Sequence, residues 1–67
     1  MKADRELVLM DGRARYSIDD ALIVSAGCAT IRDAIVEAKE RGDDSVVVDL
    51  GNNAVLWTPE MGDDESR

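Results

Sequence analysis

The sequence predicts a small α+β domain, in which about five short strands form an antiparallel or mixed sheet packed on one helix. Three observations support this prediction. Most apolar residues lie in short runs that alternate or are rich in β-branched side chains, turn residues separate these runs, and one segment alone has helical spacing. The 67 residues leave room for one domain, which we assign to residues 1–59. The predicted element order is β-β-β-α-β-β.

The N-terminal part of the chain predicts a β-hairpin. Glu6–Met10 has four consecutive apolar residues after its glutamate and predicts the first strand. Asp11-Gly12 follows, and this dipeptide is typical of a two-residue hairpin turn because glycine accepts a positive φ without steric cost. Arg13–Ile18 then alternates between polar and apolar residues, so it predicts the second strand.

The segment Ala21–Ala26 is compatible with a strand or a helix. Its β-branched centre, Ile23-Val24, favours a third strand. The preceding residues Ser17–Asp20 also resemble a helix N-cap, and Gly27 could end such a helix. We favour the strand on the basis of the β-branched pair, and the helix stays as the alternative.

One helix is predicted from Thr30 to Gly42. Thr30 is a good N-cap residue, and an acid follows it at the third helical position. Gly42 is a typical residue for the C-terminal end of a helix. The apolar stripe of this helix consists of Ile31, Ala34, Ile35 and Ala38.

Two further strands and a polar tail complete the prediction. Ser45–Leu50 has three consecutive valines and predicts a central strand, apolar on both faces. Gly51–Asn53 has turn chemistry, and Ala54–Thr58 predicts the last strand, which Pro59 ends. Residues 60–67 are predicted to form an acidic, flexible C-terminal tail.

The predicted sheet has apolar residues on both faces, whereas one helix covers only one face. Val8 and Met10 alternate with Leu7 and Leu9, and the three valines of the central strand also point both ways. We therefore expect the second face to be hidden by curling of the sheet, by self-association or by another protein.

The chain is strongly acidic, with a formal net charge of −7 and a pI near 4.3. This charge repels nucleic acid and attracts basic surfaces, including those that bind nucleic acid, although acidity can also serve solubility alone. No signal-peptide pattern or membrane-spanning apolar run is present. We expect a cytoplasmic protein with no membrane partner and no direct nucleic-acid partner.

The sequence offers little catalytic chemistry. It has no histidine and a single cysteine, Cys28, which we interpret as a packing residue rather than a nucleophile. The adjacent carboxylates lie in predicted turns and lack the spacing of a calcium loop or of a general acid and base pair. We therefore predict no enzyme activity, no catalytic residues, no metal site and no cofactor.

The segment from Thr30 to Pro59 resembles, in its apolar spacing, the C-terminal half of Phd/YefM-type antitoxin DNA-binding domains. The similarity rests on Ile31, Ile35, Gly42, Val46–Val48 and Val55 and includes no specific motif. It covers under half of the chain, and the predicted N-terminal hairpin departs from that family. We assign the chain to no family.

We predict a small, non-enzymatic protein-binding module that occupies a basic nucleic-acid-binding surface of its target. A phage-type inhibitor or anti-defence protein is the most specific form of this hypothesis. The alternative is a homodimeric, antitoxin-like or regulatory adaptor. The residues predicted to contact the partner are the acids of the turns and one aromatic residue near the last strand, namely Asp19, Asp20, Asp43, Asp44, Trp57 and Glu60.

Overall fold

Four short strands form one antiparallel sheet, and one helix packs against it. The structure is a computed structural model that describes residues 6–61. The α+β class is confirmed, with four strands in place of about five. The order of strands across the sheet is β2-β1-β3-β4. The elements are β1 (Leu7–Met10), β2 (Ile23–Ala26), α1 (Ile31–Arg41), β3 (Val46–Asp49) and β4 (Ala54–Trp57).

The pairing of the strands gives the sheet two different ends. β1 pairs antiparallel with both β2 and β3, and β3 pairs antiparallel with β4. At one end, Met10 lies opposite Ile23 and Val46, and β4 ends at Trp57. We call this the loop end, and it comprises residues 11–22, 41–45 and 58–61. The helix starts at the opposite end and finishes at the loop end.

The predicted helix is present because the residues that begin and end it, Thr30 and Gly42, act on their immediate neighbours in the chain. The Thr30 hydroxyl accepts a hydrogen bond from the Asp33 backbone N–H at 3.0 Å, and Gly42 ends the helix with φ of 63°. The apolar stripe packs on β1 and β3. The resulting first core consists of Leu9, Ala34, Ile35, Ala38, Val47 and Trp57.

The predicted hairpin after Asp11 is wrong. The chain instead forms two 3₁₀ turns, Gly12–Arg15 and Ile18–Asp20. The Asp11 carboxylate accepts the N–H of Arg13 at 2.9 Å and that of Leu22 at 3.3 Å, so it caps the first turn and ties the start of β2 to the end of β1. The strand neighbour of β1 is therefore β2 and not residues 13–18. The helix-start signal at Ser17–Asp20 yields only one 3₁₀ turn.

The second face of the sheet is covered by the chain itself. The connection from Gly12 to Ala21 folds over this face and buries Ala14. Neither curling of the sheet, nor a second copy, nor another protein is needed to hide the face, so our expectation that one of these three hides it is corrected. The second core consists of Val8, Met10, Ala14, Val46 and Val48, with Ile18, Ala21, Leu50 and Val55 packed around it.

The C-terminal half of the sheet follows the prediction closely. β3 is an inner strand with all four residues buried, and the β3–β4 turn falls at residues 50–53. After β4, Pro59–Met61 forms a 3₁₀ turn that includes the first two residues of the predicted tail. The rest of that tail, residues 62–67, lies outside the described residues. Between residues 6 and 61, no helix combines the length and hydrophobicity needed to cross a bilayer.

Candidate functional site

The loop end of the sheet collects most of the predicted partner-binding residues. All six predicted positions lie there or at the adjoining end of β4, although they come from three separate parts of the chain. The segments 11–22, 41–45 and 58–61 contain three arginines and six carboxylates, which are Asp11, Asp19, Asp20, Asp43, Asp44 and Glu60. The sequence alone did not predict this convergence, because it requires the strand directions and the pairing order.

Arg15 joins all three segments of the loop end. Its guanidinium contacts Asp44 in a bidentate manner, with N–O distances of 2.6 and 3.2 Å, and contacts Glu60 at 3.1 Å. The Asp44 carboxylate raises the pKa of the Arg15 guanidinium, which stays positively charged. The Arg15 side chain is 20% exposed, whereas those of Asp44 and Glu60 are 60% and 67% exposed. The two acids therefore face solvent above a largely covered cation.

Gly12 allows the loop that carries Asp44 to approach the first 3₁₀ turn closely. A Cβ atom on Gly12 would lie 2.6 Å from Oδ2 of Asp44, and Asp44 itself has φ of 68°. The first 3₁₀ turn and the loop before β3 are thus in direct contact. The glycine that suggested a hairpin turn serves this packing instead.

Asp43 is held in place by its neighbours. Its carboxylate accepts a hydrogen bond from the buried Ser45 hydroxyl and pairs with Arg41 at 3.0 Å. The Ser45 hydrogen bond and the Arg41 guanidinium lower the pKa of Asp43. Asp43 therefore stabilises the loop between α1 and β3, and its charge is partly neutralised.

Asp19 and Asp20 differ from the other acids of the loop end. Both are exposed in the second 3₁₀ turn, and neither makes an ion pair or a hydrogen bond through its carboxylate within residues 6–61. In the same connection, Tyr16 is 87% exposed, the highest value among the large hydrophobic side chains of the described region. This tyrosine borders a shallow groove of about 430 Å³, lined by Asp11, Gly12, Arg13, Arg15, Tyr16, Asp43 and Asp44.

Trp57 does not belong to this surface. It is 3% exposed and lies in the first core, opposite Val47 on the neighbouring strand. Its side chain is thus used for packing, and Tyr16 is the aromatic residue that the surface offers. The sequence could not show which of these two aromatic residues is exposed, because both occupy apolar positions of predicted strands.

Cys28 lies near the opposite end of the sheet and packs against the first core. Burial and the Glu37 carboxylate raise the pKa of the Cys28 thiol. Glu37 also accepts a hydrogen bond from the Ser25 hydroxyl. The thiol is therefore kept protonated, which makes it a poor nucleophile.

The described residues include no group of three or more histidine, cysteine or acidic side chains arranged to hold a metal ion. Comparisons of the chain with protein-family models, with curated proteins and with solved structures gave no match. The class that the fold defines is a four-stranded antiparallel sheet with one covering helix.

Proposed function

We propose that this chain is a non-enzymatic protein-binding module whose loop end occupies a basic surface on its target. The observation that carries the proposal is the concentration of six carboxylates, against three arginines, at one end of the sheet. A basic surface that normally binds nucleic acid would attract such an end electrostatically. An inhibitor that competes with nucleic acid is the form of this function that we favour.

The backbone adds to the negative potential of the loop end. The helix α1 finishes there, and the C-terminal end of a helix carries a partial negative charge of about −0.5. Arg15 contacts both carboxylate oxygens of Asp44 and one of Glu60, and these two acidic side chains are nevertheless 60% and 67% exposed. Arg15 therefore fixes the positions of two charges without hiding them.

Tyr16 supplies an apolar anchor next to these charges. Tyrosine is enriched at the energetic centres of protein interfaces because its ring is large and rigid and its hydroxyl can hydrogen bond. The 87% exposure of Tyr16 contrasts with the burial of Trp57. The proposed contact surface consists of Tyr16, Asp19, Asp20, Asp44 and Glu60.

The test is affinity capture from an extract of the source organism's cells, with and without competing double-stranded DNA. The wild-type chain is expected to retain a basic protein at about 0.1 M salt, and to lose it at about 0.5 M salt or when DNA is added. The double variant Asp19→Asn, Asp20→Asn should retain several-fold less of that protein, because two unpaired charges are removed from the contact surface.

The matched control is the double variant Glu6→Gln, Asp33→Asn, which removes the same charge from the opposite end of the sheet. It should retain the captured protein as the wild type does. If both double variants retained equally little of the basic protein, the total charge of the chain would decide binding, and the loop end would not be the contact surface. Capture of no basic protein, or capture that DNA does not reduce, would contradict the proposal.

A homodimer is the second candidate function. The specific observation in its favour is the outer strand β2, which pairs on one side only and has the exposed apolar residues Leu22 and Ile23 at its start.

A further inference from the structure

The outer strand β2 has an open edge. It pairs with β1 on one side only, and its first and last residues, Ile23 and Ala26, are exposed. Leu22, immediately before it, is 64% exposed, and Ile23 is 51% exposed. A strand at the edge of a sheet presents backbone N–H and C=O groups that a further strand can pair with.

The sequence around β2 does little to block such pairing. Natural proteins protect sheet edges with charged side chains, proline, bulges or covering segments. Residues 21–27 contain no charge and no proline, in a chain of which 34% of the residues are charged. Two features do limit such pairing, namely the four-residue length of β2 and the register shift opposite Leu9 and Met10. The other outer strand, β4, has a similar shift but is followed by Pro59 and Glu60.

We propose that a second copy of this chain pairs antiparallel along the segment Leu22–Ala26. The two four-stranded sheets would then form one continuous sheet around a twofold axis. Leu22 and Ile23 of one copy would lie beside the end of β2 in the other copy, near Ala26. This contact would cover part of the exposed apolar surface of Leu22 and Ile23 in both copies.

The distribution of charge favours a second copy over a charged partner strand. The pairing segment is neutral, so no like charges meet at its centre. Antiparallel pairing also places the loop end of one copy beside the opposite end of the other, because β2 begins at the loop end. The two acidic loop ends therefore lie far apart. In a parallel arrangement the Asp19-Asp20 turns of both copies would lie side by side.

The dimer does not depend on the proposed binding of a basic protein, since it would form through the strand segment Leu22–Ala26, whereas the proposed contact residues are Tyr16, Asp19, Asp20, Asp44 and Glu60; the two surfaces adjoin at Leu22. Sedimentation or light scattering of the full chain should show a concentration-dependent doubling of the 7.3 kDa mass. The double variant Ile23→Lys, Ala26→Lys should stay monomeric at concentrations where the wild type is dimeric, because lysines of the two copies would meet.

A second variant with acidic residues at the same two positions shows whether the lysine variant has lost the dimer contact or has lost its fold. The variant Ile23→Glu, Ala26→Glu should also be monomeric alone, and a mixture of the lysine and glutamate variants should give a 1:1 dimer. The matched control Val36→Lys, Met61→Lys changes two other exposed apolar residues and should dimerise as the wild type does.

Three results would overturn the proposal. They are a wild-type chain that remains monomeric at millimolar concentration, a dimer that the lysine pair in β2 does not disrupt, and a mixture of the two charged variants that fails to associate. Asp19→Asn, Asp20→Asn should leave the dimer intact, so loss of the basic partner and loss of the dimer can be told apart.

Discussion

Five aspartates of the described region differ in what their carboxylates contact. Asp11, Asp43 and Asp49 accept hydrogen bonds from the backbone or from neighbouring side chains, and their pKa values are lowered. Asp19 and Asp20 make no such bonds within the described residues. The first group stabilises turns, and the second is available to a partner. Composition alone could not make this distinction.

Asp49 links a hydrogen-bonded carboxylate to the pH dependence of stability. It is buried at the end of β3, and its carboxylate accepts hydrogen bonds from the Asn52 side chain at 2.7 Å, from Gly51 N–H at 3.0 Å and from Glu6 N–H at 3.2 Å. The Asn52 hydrogen bond, with the backbone N–H groups, lowers the pKa of Asp49. A pKa that is lower in the folded state means that ionised Asp49 stabilises the fold above its unfolded pKa of about 3.9.

The free energy of unfolding should therefore fall as the pH drops through the folded pKa values of these aspartates. Asp49→Asn should be less stable than the wild type near pH 7, and the difference should shrink at about pH 3 and below. Urea unfolding at both pH values measures this, with Asp19→Asn as the control that leaves the midpoint near the wild-type value. A midpoint of Asp49→Asn equal to that of the wild type near pH 7 would contradict the role of Asp49.

At the scale of elements, the connection Gly12–Ala21 decides how the sheet is enclosed. It fills the place that we expected a partner, a second copy or sheet curvature to fill. The helix, β3 and β4 were predictable because caps, β-branched runs and proline act locally. The hairpin prediction failed because Asp11-Gly12 is compatible with more than one turn. The decisive contacts, from Asp11 to Leu22 and from Gly12 to Asp44, are distant in sequence.

A substitution at Ala14 tests whether the connection Gly12–Ala21 covers the second face of the sheet. It is 2% exposed in the second core, so Ala14→Asp would place a charge against Val8 and Val46. We expect the free energy of unfolding of Ala14→Asp to be lower than that of the wild type by about 3 kcal/mol or more. A hydrophobic dye should also bind to the face of the sheet that the connection no longer covers. The control Ala29→Asp makes the same change at an exposed position and should stay within about 0.5 kcal/mol of the wild type. Thermal unfolding measures the stability of both variants. If Ala14→Asp and Ala29→Asp were equally stable, the connection Gly12–Ala21 would not be needed to cover the second face.

At the scale of the whole molecule, the fold separates two kinds of surface. The antiparallel order brings three distant acidic segments to the loop end, and it leaves an uncharged edge along β2. The sequence indicated the acid excess and five of the acids that gather at the loop end, but it could not show that they gather. Trp57 packs in the first core with the helix residues Ala34 and Ile35, whereas Tyr16 lies at the surface.

The most direct measurement is hydrogen exchange of the chain, free and bound to the basic protein that it captures. If the loop end is the contact surface, exchange should slow on binding in residues 16–22, 43–45 and 58–61, and stay unchanged in residues 27–33 and 50–53. Protection confined to the latter two segments, with the loop end unaffected, would contradict the proposed function.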